Sequence, residues 1–486
     1  YKRQALQEQL VKKDIPLVSA VMPHEFSAVL VKGRGNYISL RRMELAKERE
    51  GSLFQYDEEV TELEGLLEWS ENTRDGSLAD LPTIPRSSVW DEVHSDSGNC
   101  MGRTCPRYND CHYFVARRRM NNAQVLVVNH ALFFSDLALR RSGVSLLPEY
   151  DIVILDEAHM VESVASDHLG VGLSSIAAER LLSRLYNERT NRGLLVHYKL
   201  DDLRPDVIQA RRIAEDFFSG IIHAVADRGD GPWRILEPNL VPNTLGEVLL
   251  SLGRKIRKAS DRLSSDAERQ DFQSLADRLT SQAGSIRFWL EQDDSGSVWW
   301  VELANSRRGV PRVKLASAPI DVSGVLRRDL FSKVDTVVLT SATLSTGTQS
   351  EAFDDTFDTE NEHDAKEIGF HYLCERLGVE SAIKRQLDSP FDYESQAELI
   401  LVNRLPDPSS KHEYDRAVAE MLRSFVVDQQ GRTMVLFTSH QALASASGEL
   451  AGFCIRNKIR LVSQADGLSR GQMPVSYTHM TLPTKA

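Results

Sequence analysis

The stretch Ile152-Val153-Ile154-Leu155-Asp156-Glu157-Ala158-His159 decides the fold. Four apolar residues in succession read as a buried parallel strand, because strands covered on both faces carry continuous apolar runs. Two adjacent carboxylates then stand at the strand's C-terminal end, where open α/β sheets bind ligands. An Asp there can hold Mg²⁺ on a nucleotide, and an acidic neighbour can polarise the attacking water. The same letters also suit a helix start, since Asp and Glu favour N-caps and first turns. The rest of the chain must decide.

A chain of 486 residues has room for roughly three domains. Its 41% apolar and 26% charged residues are those of a globular protein, not a disordered or fibrous one. No apolar run reaches the roughly 18 residues of a spanning helix. Tyr1 to Leu10 lack a signal-peptide core. A cytoplasmic protein with no membrane partner is expected. The net charge of −12 argues against nucleic acid in bulk, but binding uses local stripes. Candidates are Lys12-Lys13, Lys32-Gly33-Arg34, Arg41-Arg42, Arg117-Arg118-Arg119 and Arg140-Arg141. Each alone is a solvated face; together they suggest a DNA path.

Three of the five cysteines, Cys100, Cys105 and Cys111, form a C-x4-C-x5-C cluster. In a cytosolic chain such clustering favours metal over disulfide, and thiolates serve zinc and iron–sulfur clusters alike. The absence of C-x2-C spacing disfavours a zinc ribbon. Cys374 and Cys454 read as ordinary thiols. Further along, residues 171–300 are largely helical in pattern, with Leu181, Leu182 and Leu185, then Leu249, Leu250 and Leu252, at helix spacing. Thr336-Val337-Val338-Leu339 is a second buried strand, ending in Thr340-Ser341-Ala342-Thr343. The acidic stretch 351–366 reads as an exposed loop. Beyond residue 390, strand patterns at Leu399–Val402 and Thr433–Phe437 alternate with helical ones such as Tyr414–Val427, which suggests a second α/β unit.

In their order these motifs resemble the DinG/XPD family of superfamily 2 iron–sulfur helicases, and the bacterial DinG-like branch most. Leu6-Gln7-Glu8-Gln9-Leu10 with Lys13-Asp14-Ile15-Pro16-Leu17 is similar to the family's first DNA-contacting segment. Lys32-Gly33-Arg34-Gly35-Asn36-Tyr37 is similar to its entry into the cluster domain, and Val127-Val128-Asn129-His130-Ala131-Leu132 with Asp156–His159 to the run into the DEAH box. Ser341-Ala342-Thr343 matches the motif that couples hydrolysis to DNA movement. Ser389-Pro390-Phe391-Asp392-Tyr393 and Val435-Leu436-Phe437-Thr438-Ser439 match the start of the second motor domain.

The resemblance implies an α/β architecture: a RecA-like motor domain interrupted by an iron–sulfur domain and a helical arch, then part of a second RecA-like domain. The first motor domain would be split over 1–35, 117–170 and 306–350, around a cluster domain at 36–116 and an arch at 171–305. The second would cover 351–473, and 474–486 reads as a foreign tail. Asp156 would hold Mg²⁺ beside ATP and Glu157 would position the hydrolytic water. His159, Ser341 and Thr343 would link nucleotide state to DNA grip. Cys100, Cys105 and Cys111 would carry a 4Fe–4S cluster. Gln7, Lys32, Arg34, Arg117, Arg118 and Arg119 would meet DNA. A monomer moving 5′ to 3′ on single-stranded DNA, with forked or 5′-tailed duplexes as substrates, is the implied whole.

Two departures qualify this. A phosphate-cradling G-x-x-x-x-G-K-[ST] loop occurs nowhere in the 486 residues. The family's last motifs are also missing, so the chain reads as an internal fragment with impaired hydrolysis. The family's first cluster cysteine falls at Asn36-Tyr37-Ile38-Ser39, where this chain has Ser39. Ser39, His94, His112 or an outside ligand would complete the site, unless the cluster is labile or lost. A different class stays open: a non-catalytic, metal-stabilised nucleic-acid-binding module. His130 reads equally as a coupling residue or a core histidine. Trp299 and Trp300 read as an apolar brace more than a base-stacking pair, and Phe133-Phe134 as core.

Overall fold

The computed structural model describes Gln7 and residues 9–141, 143–229, 231–304, 311–345, 369–387 and 389–464. They divide into two compact units, residues 9–386 and residues 387 onward with Gln7. The chain is mixed α/β, with parallel strand pairs where the apolar runs placed them. β1 (Ala28–Leu30) pairs with β2 (Val125–Val127). β3 (Ile152–Asp156) pairs in parallel with β8 (Thr336–Thr340), in a register that sets Asp156 against Thr340. Distant acidic and hydroxyl motifs therefore end side by side.

One face of β3 and β8 is packed. Val153 and Leu155 join Phe133, Phe134, Leu137, Val161, Ala165 and Leu326 in one core. Asn129 starts the covering helix His130–Arg140 by accepting the Leu132 amide on its side chain at 2.7 Å. The other face is bare among the described residues: Ile152 is 61% and Ile154 67% exposed. The expectation of a strand buried on both faces is thus met on one. The continuous apolar run is that of a strand whose sequence is suited to two layers.

The helical segment after residue 171 is closed by an antiparallel sheet in the order β4-β7-β6-β5. Its strands are β4 (Gly172–Ser174), β5 (Trp233–Ile235), β6 (Ser297–Ala304) and β7 (Arg312–Pro319). β6 and β7 pair along their full length, so residues 312–319 side with the helices, not with β8. Helices Arg204–Val225, Thr244–Ser260 and Asp266–Glu291 fill the core with Phe217, Leu249, Ile256, Phe272 and Leu279. Trp289 is fully buried and its indole N–H donates to the Ala316 carbonyl at 3.0 Å, the partner a buried indole needs. Trp299 packs on Phe288, 5.1 Å between ring centroids, as a brace. Ser265 and Glu268 cap the long helix reciprocally.

Residues 36–93 build a smaller core of Ile38, Met43, Phe54, Leu63, Leu66, Val89 and Trp90 between helices Leu40–Glu48, Asp57–Asn72 and Ser87–Val93. In the second unit, helices Lys411–Asp428 and His440–Arg456 meet through Leu422, Leu450 and Cys454. The strands expected at Leu399–Val402 and Thr433–Phe437 are not formed. Among the described residues no partner strand faces them, so their backbone has no ladder to join, and Leu436 is left 82% exposed. Residues 351–366 and 474–486 lie outside the described residues. Among the described residues no helix is long and apolar enough to cross a membrane.

Candidate active site and cysteine cavity

The paired ends of β3 and β8 bring three of the expected catalytic side chains into contact. His159 Nδ1 lies 2.8 Å from Ser341 Oγ, and Ser341 Oγ donates to Glu157 Oε2 at 3.3 Å. His159 Nδ1 is also 3.2 Å from Glu157 Oε2. With its own proton directed to Glu157, the Ser341 hydroxyl accepts from His159, which assigns the ring proton to Nδ1. The Thr343 amide donates to Ser341 Oγ at 3.3 Å, so Thr343 joins through its backbone. Asp156 stands at the strand end, exposed and next to Thr340. Glu157 has φ of 50°, a left-handed conformation costly for a residue with a Cβ. That turn swings the carboxylate from the strand axis towards Ser341.

The three clustered cysteines, far from this edge in sequence terms, share one cavity. Its wall holds Ser39, Arg41, Ser95, Asp96, Asn99, Cys100, Cys105, Cys111 and Phe114. Ser39 is also the N-cap of Leu40–Glu48, accepting the Arg42 amide at 3.5 Å. Of the side chains considered for a fourth ligand, Ser39 alone lines the cavity. His94 Nδ1 lies 3.0 Å from the Trp90 carbonyl. His112 packs on Gly76: at φ of +63°, a Cβ there would stand 2.2 Å from His112 Cγ. The Gly102 amide donates to Cys100 Sγ at 3.4 Å, and burial pushes the Cys111 thiol up. Among the described residues, no three His, Cys, Asp or Glu side chains converge tightly enough for a single metal ion. A four-iron cluster takes each thiolate on a different iron and needs no such single point, unlike a tetrahedral zinc. Cys100, Cys105 and Cys111 offer the thiolate donors that iron–sulfur clusters and zinc both take.

The structure sorts the basic stripes. Arg41 and Arg42 are buried. Arg140 is paired with Asp136 and Glu149, and Arg141 with Asp329. Lys32 donates to Asp75 at 2.9 Å and to Ser77 at 2.7 Å, in a half-buried contact. Arg34 stacks on Tyr113 at 3.9 Å. Arg117, Arg118 and Arg119 follow Cys111 on helix His112–Asn121, with Arg118 and Arg119 exposed. None of the three pairs with a carboxylate of a described residue. Gln7 lies in the other unit and is half-buried.

Sequence reasoning missed the residues that hold the cavity. Arg49 and Asp271 are 3% and 2% exposed and pair at 2.5 Å. Asp271 also takes Arg184 at 3.2 Å and the Asn99 side-chain amide at 2.7 Å. Burial works to raise the Asp271 carboxyl, but the guanidiniums of Arg184, Arg49 and Arg42 outweigh it and hold it far below the usual carboxylate range. Arg42, buried beside Arg184, is pushed down to about 10. The only signal in sequence was arginine at positions of an otherwise amphipathic helix.

The family model described as DEAD_2 matches residues 99–177, from the first clustered cysteine through the acidic strand end. The chain is 30% identical over 440 residues to the ATP-dependent DNA helicase YoaA of Escherichia coli, covering 90% of this chain and 63% of that protein. The chain is similar in sequence to bacterial helicases named YoaA and DinG. The ATP-dependent DNA helicase DinG of Photobacterium profundum is 25% identical over 95% of this chain and 68% of its own length. The 3′-5′ exonuclease DinG of Bacillus subtilis is 24% identical over 97% of this chain and 52% of its own length. The chain thus spans about 63% of the Escherichia coli relative it matches.

One pH effect follows from the cavity's surroundings. His94 is held below the ordinary imidazole range by burial and then by Arg42, against the opposing pull of the Trp90 carbonyl, Asp91 and Asp96. Its unfolded form takes a proton near pH 6.5 while the folded form stays neutral, so stability is lost as pH falls through and below that value. Urea midpoints should drop between pH 7.5 and 5.5, and drop less in His94→Gln. An equal drop in both proteins would remove His94 from the account.

Proposed function

We propose that these residues are part of the motor of an ATP-dependent, DinG-type DNA helicase that acts on single-stranded and forked or 5′-tailed DNA, 5′ to 3′, in repair or replication. The observation that carries this is the Glu157–Ser341–His159 contact at the ends of two adjacent parallel strands. An acidic pair at such a strand end is where a nucleotide's metal and water are handled. Asp156 would hold Mg²⁺, and Glu157 would orient the attacking water. Because Ser341 bonds Glu157 directly, a change at the nucleotide would move the Ser341–Thr343 turn, and with it the grip on DNA. The helicase names of the relatives support the same reading.

The organisation we infer is a RecA-like domain around β3 and β8, interrupted by a cluster domain and a helical arch. The bare apolar face of Ile152 and Ile154 supports a further layer on that sheet, as RecA-like sheets carry. Cys100, Cys105 and Cys111 would hold a 4Fe–4S cluster, with Ser39 at the fourth corner. The cluster would fix the fold of the loop; every catalytic contact above belongs to other residues. Arg117, Arg118 and Arg119 would meet the DNA backbone, while Lys32 and Arg34 would shape the cavity's approach from inside.

Two outcomes are expected. ATP turnover by the 486-residue chain with single-stranded DNA should fall below the ordinary enzyme range of ~1–10³ s⁻¹, since its sequence holds no G-x-x-x-x-G-K-[ST] loop to cradle the phosphates. Turnover within that range would overturn this. Single-strand affinity should fall with salt at a slope near −0.7 per phosphate contact, and Arg117→Ala with Arg118→Ala should flatten it by about one unit. Unchanged affinity in the double variant at every salt concentration would place the DNA path elsewhere.

A further inference from the structure

The chain before Cys100 and the loop after Cys105 are gripped by two helices that lie more than two hundred residues apart in sequence. Leu40–Glu48 carries Ser39 at its N-cap, and its Arg41 donates to the Asn99 carbonyl at 2.6 Å and the Asn99 side-chain oxygen at 2.8 Å. Its Glu44 takes Arg107, in the loop between Cys105 and Cys111, at 2.7 Å. Asp266–Glu291 holds the strand of chain that enters Cys100. Arg278 meets Asp96 at 2.6 Å, Gln270 donates to the Gly98 carbonyl at 2.9 Å, and Asp271 accepts the Asn99 amide at 2.7 Å. The two helices are joined by Arg49–Asp271 and by Arg41, which also donates to the Ala267 carbonyl at 3.3 Å.

We propose that Asp271 is a positioning residue for the cysteine cavity: through Asn99 it fixes the backbone that carries Cys100, so the thiols keep their metal only while the helix Asp266–Glu291 is docked. This rests on the metal site proposed above. The physical case is that Asn99 is buried and uses both ends of its amide, one on each helix. A buried amide with both ends satisfied has one low-energy orientation, and that orientation sets the peptide leading into Cys100. Asp271 cannot be replaced by another group nearby. In the cavity it shares with Arg42, Arg49, Arg184 and Glu92, three guanidiniums face two carboxylates. Without Asp271, Arg49 loses the carboxylate it pairs with and Asn99 loses its anchor. The helix that presents Asp271 is itself held by Trp289 at its far end. The grip on Cys100 is therefore a property of the whole helical segment, not of the loop that carries the thiols.

The test uses the 486-residue chain, loaded anaerobically with ferric iron and sulfide in excess dithiothreitol, which supplies the electrons that reduce half of the iron. The visible iron–thiolate absorbance is followed after adding a chelator, and melting temperatures are read in parallel. Partners that hold a ligand in place are worth 10–100-fold in metal retention. Asn99→Ala leaves Arg49–Asp271 and Arg184–Asp271 in place, and should lose the chromophore about tenfold faster with little change in melting temperature. Asp271→Asn should lose it at least as fast. Trp289→Phe, which loosens the same helix without touching Asn99, should melt earlier yet keep the chromophore longer than Asn99→Ala. Loss from Asn99→Ala at the parental rate overturns the proposal, even if Asp271→Asn fails to fold. A parent that binds stoichiometric zinc but no iron sinks the iron–sulfur site alone, and positioning is then read from zinc release in the same variants. A parent that binds neither metal overturns both.

Discussion

The pair Arg49–Asp271 is the constraint on which the larger unit depends. Two charges taken almost wholly out of water are expensive, and are tolerated only with close geometry and further hydrogen bonds. Both conditions hold: the contact is 2.5 Å, and Asp271 collects Arg184 and Asn99 on its second oxygen. Removing one partner of such a pair costs about 3–5 kcal/mol, because the other is left buried and uncompensated. The pair therefore locks the small core of residues 36–93 to the helices after residue 171. Leu53 packs against both cores, and the buried charges add a directional link between them.

The same unit places chemistry at a different edge by a different device. β3 and β8 are 180 residues apart in sequence, yet their parallel register sets Asp156 beside Thr340. Helix and loop residues then have little left to arrange. The left-handed turn at Glu157 and the short chain from Thr340 to Ser341 bring the carboxylate and hydroxyl within hydrogen-bond reach. Backbone pairing does the long-range work, and one strained residue does the final aiming.

The parallel strands and the acidic strand end were legible because continuous apolar runs and paired carboxylates are local signals. The cysteines were legible because their spacing is short. The helical segment was legible from its leucine spacing, but the extent of its sheet was not: residues 312–319 were counted with the motor domain and instead join β6 through a pairing set by tertiary packing. Arg41 and Arg42 misled most. As adjacent cations they resemble a phosphate-binding stripe, and nothing within a few residues reveals that Asn99, Asp91 and the His94 carbonyl await them. Buried charge is invisible to composition, since its partners come from other parts of the chain. Leu399–Val402 shows the opposite limit. A strand-like pattern states what a segment can do, and pairing requires a neighbour.

The central claim is that the cysteine cavity and the helical segment form one cooperative piece through Asp271 and Asn99. Amide hydrogen exchange along Asp266–Glu291, compared between metal-loaded and chelator-stripped protein, tests it most directly. The account predicts slower exchange near Ala267 to Asp271 when the thiols are loaded, with the β3–β8 pair unchanged. Identical exchange in that helix with and without metal would contradict it.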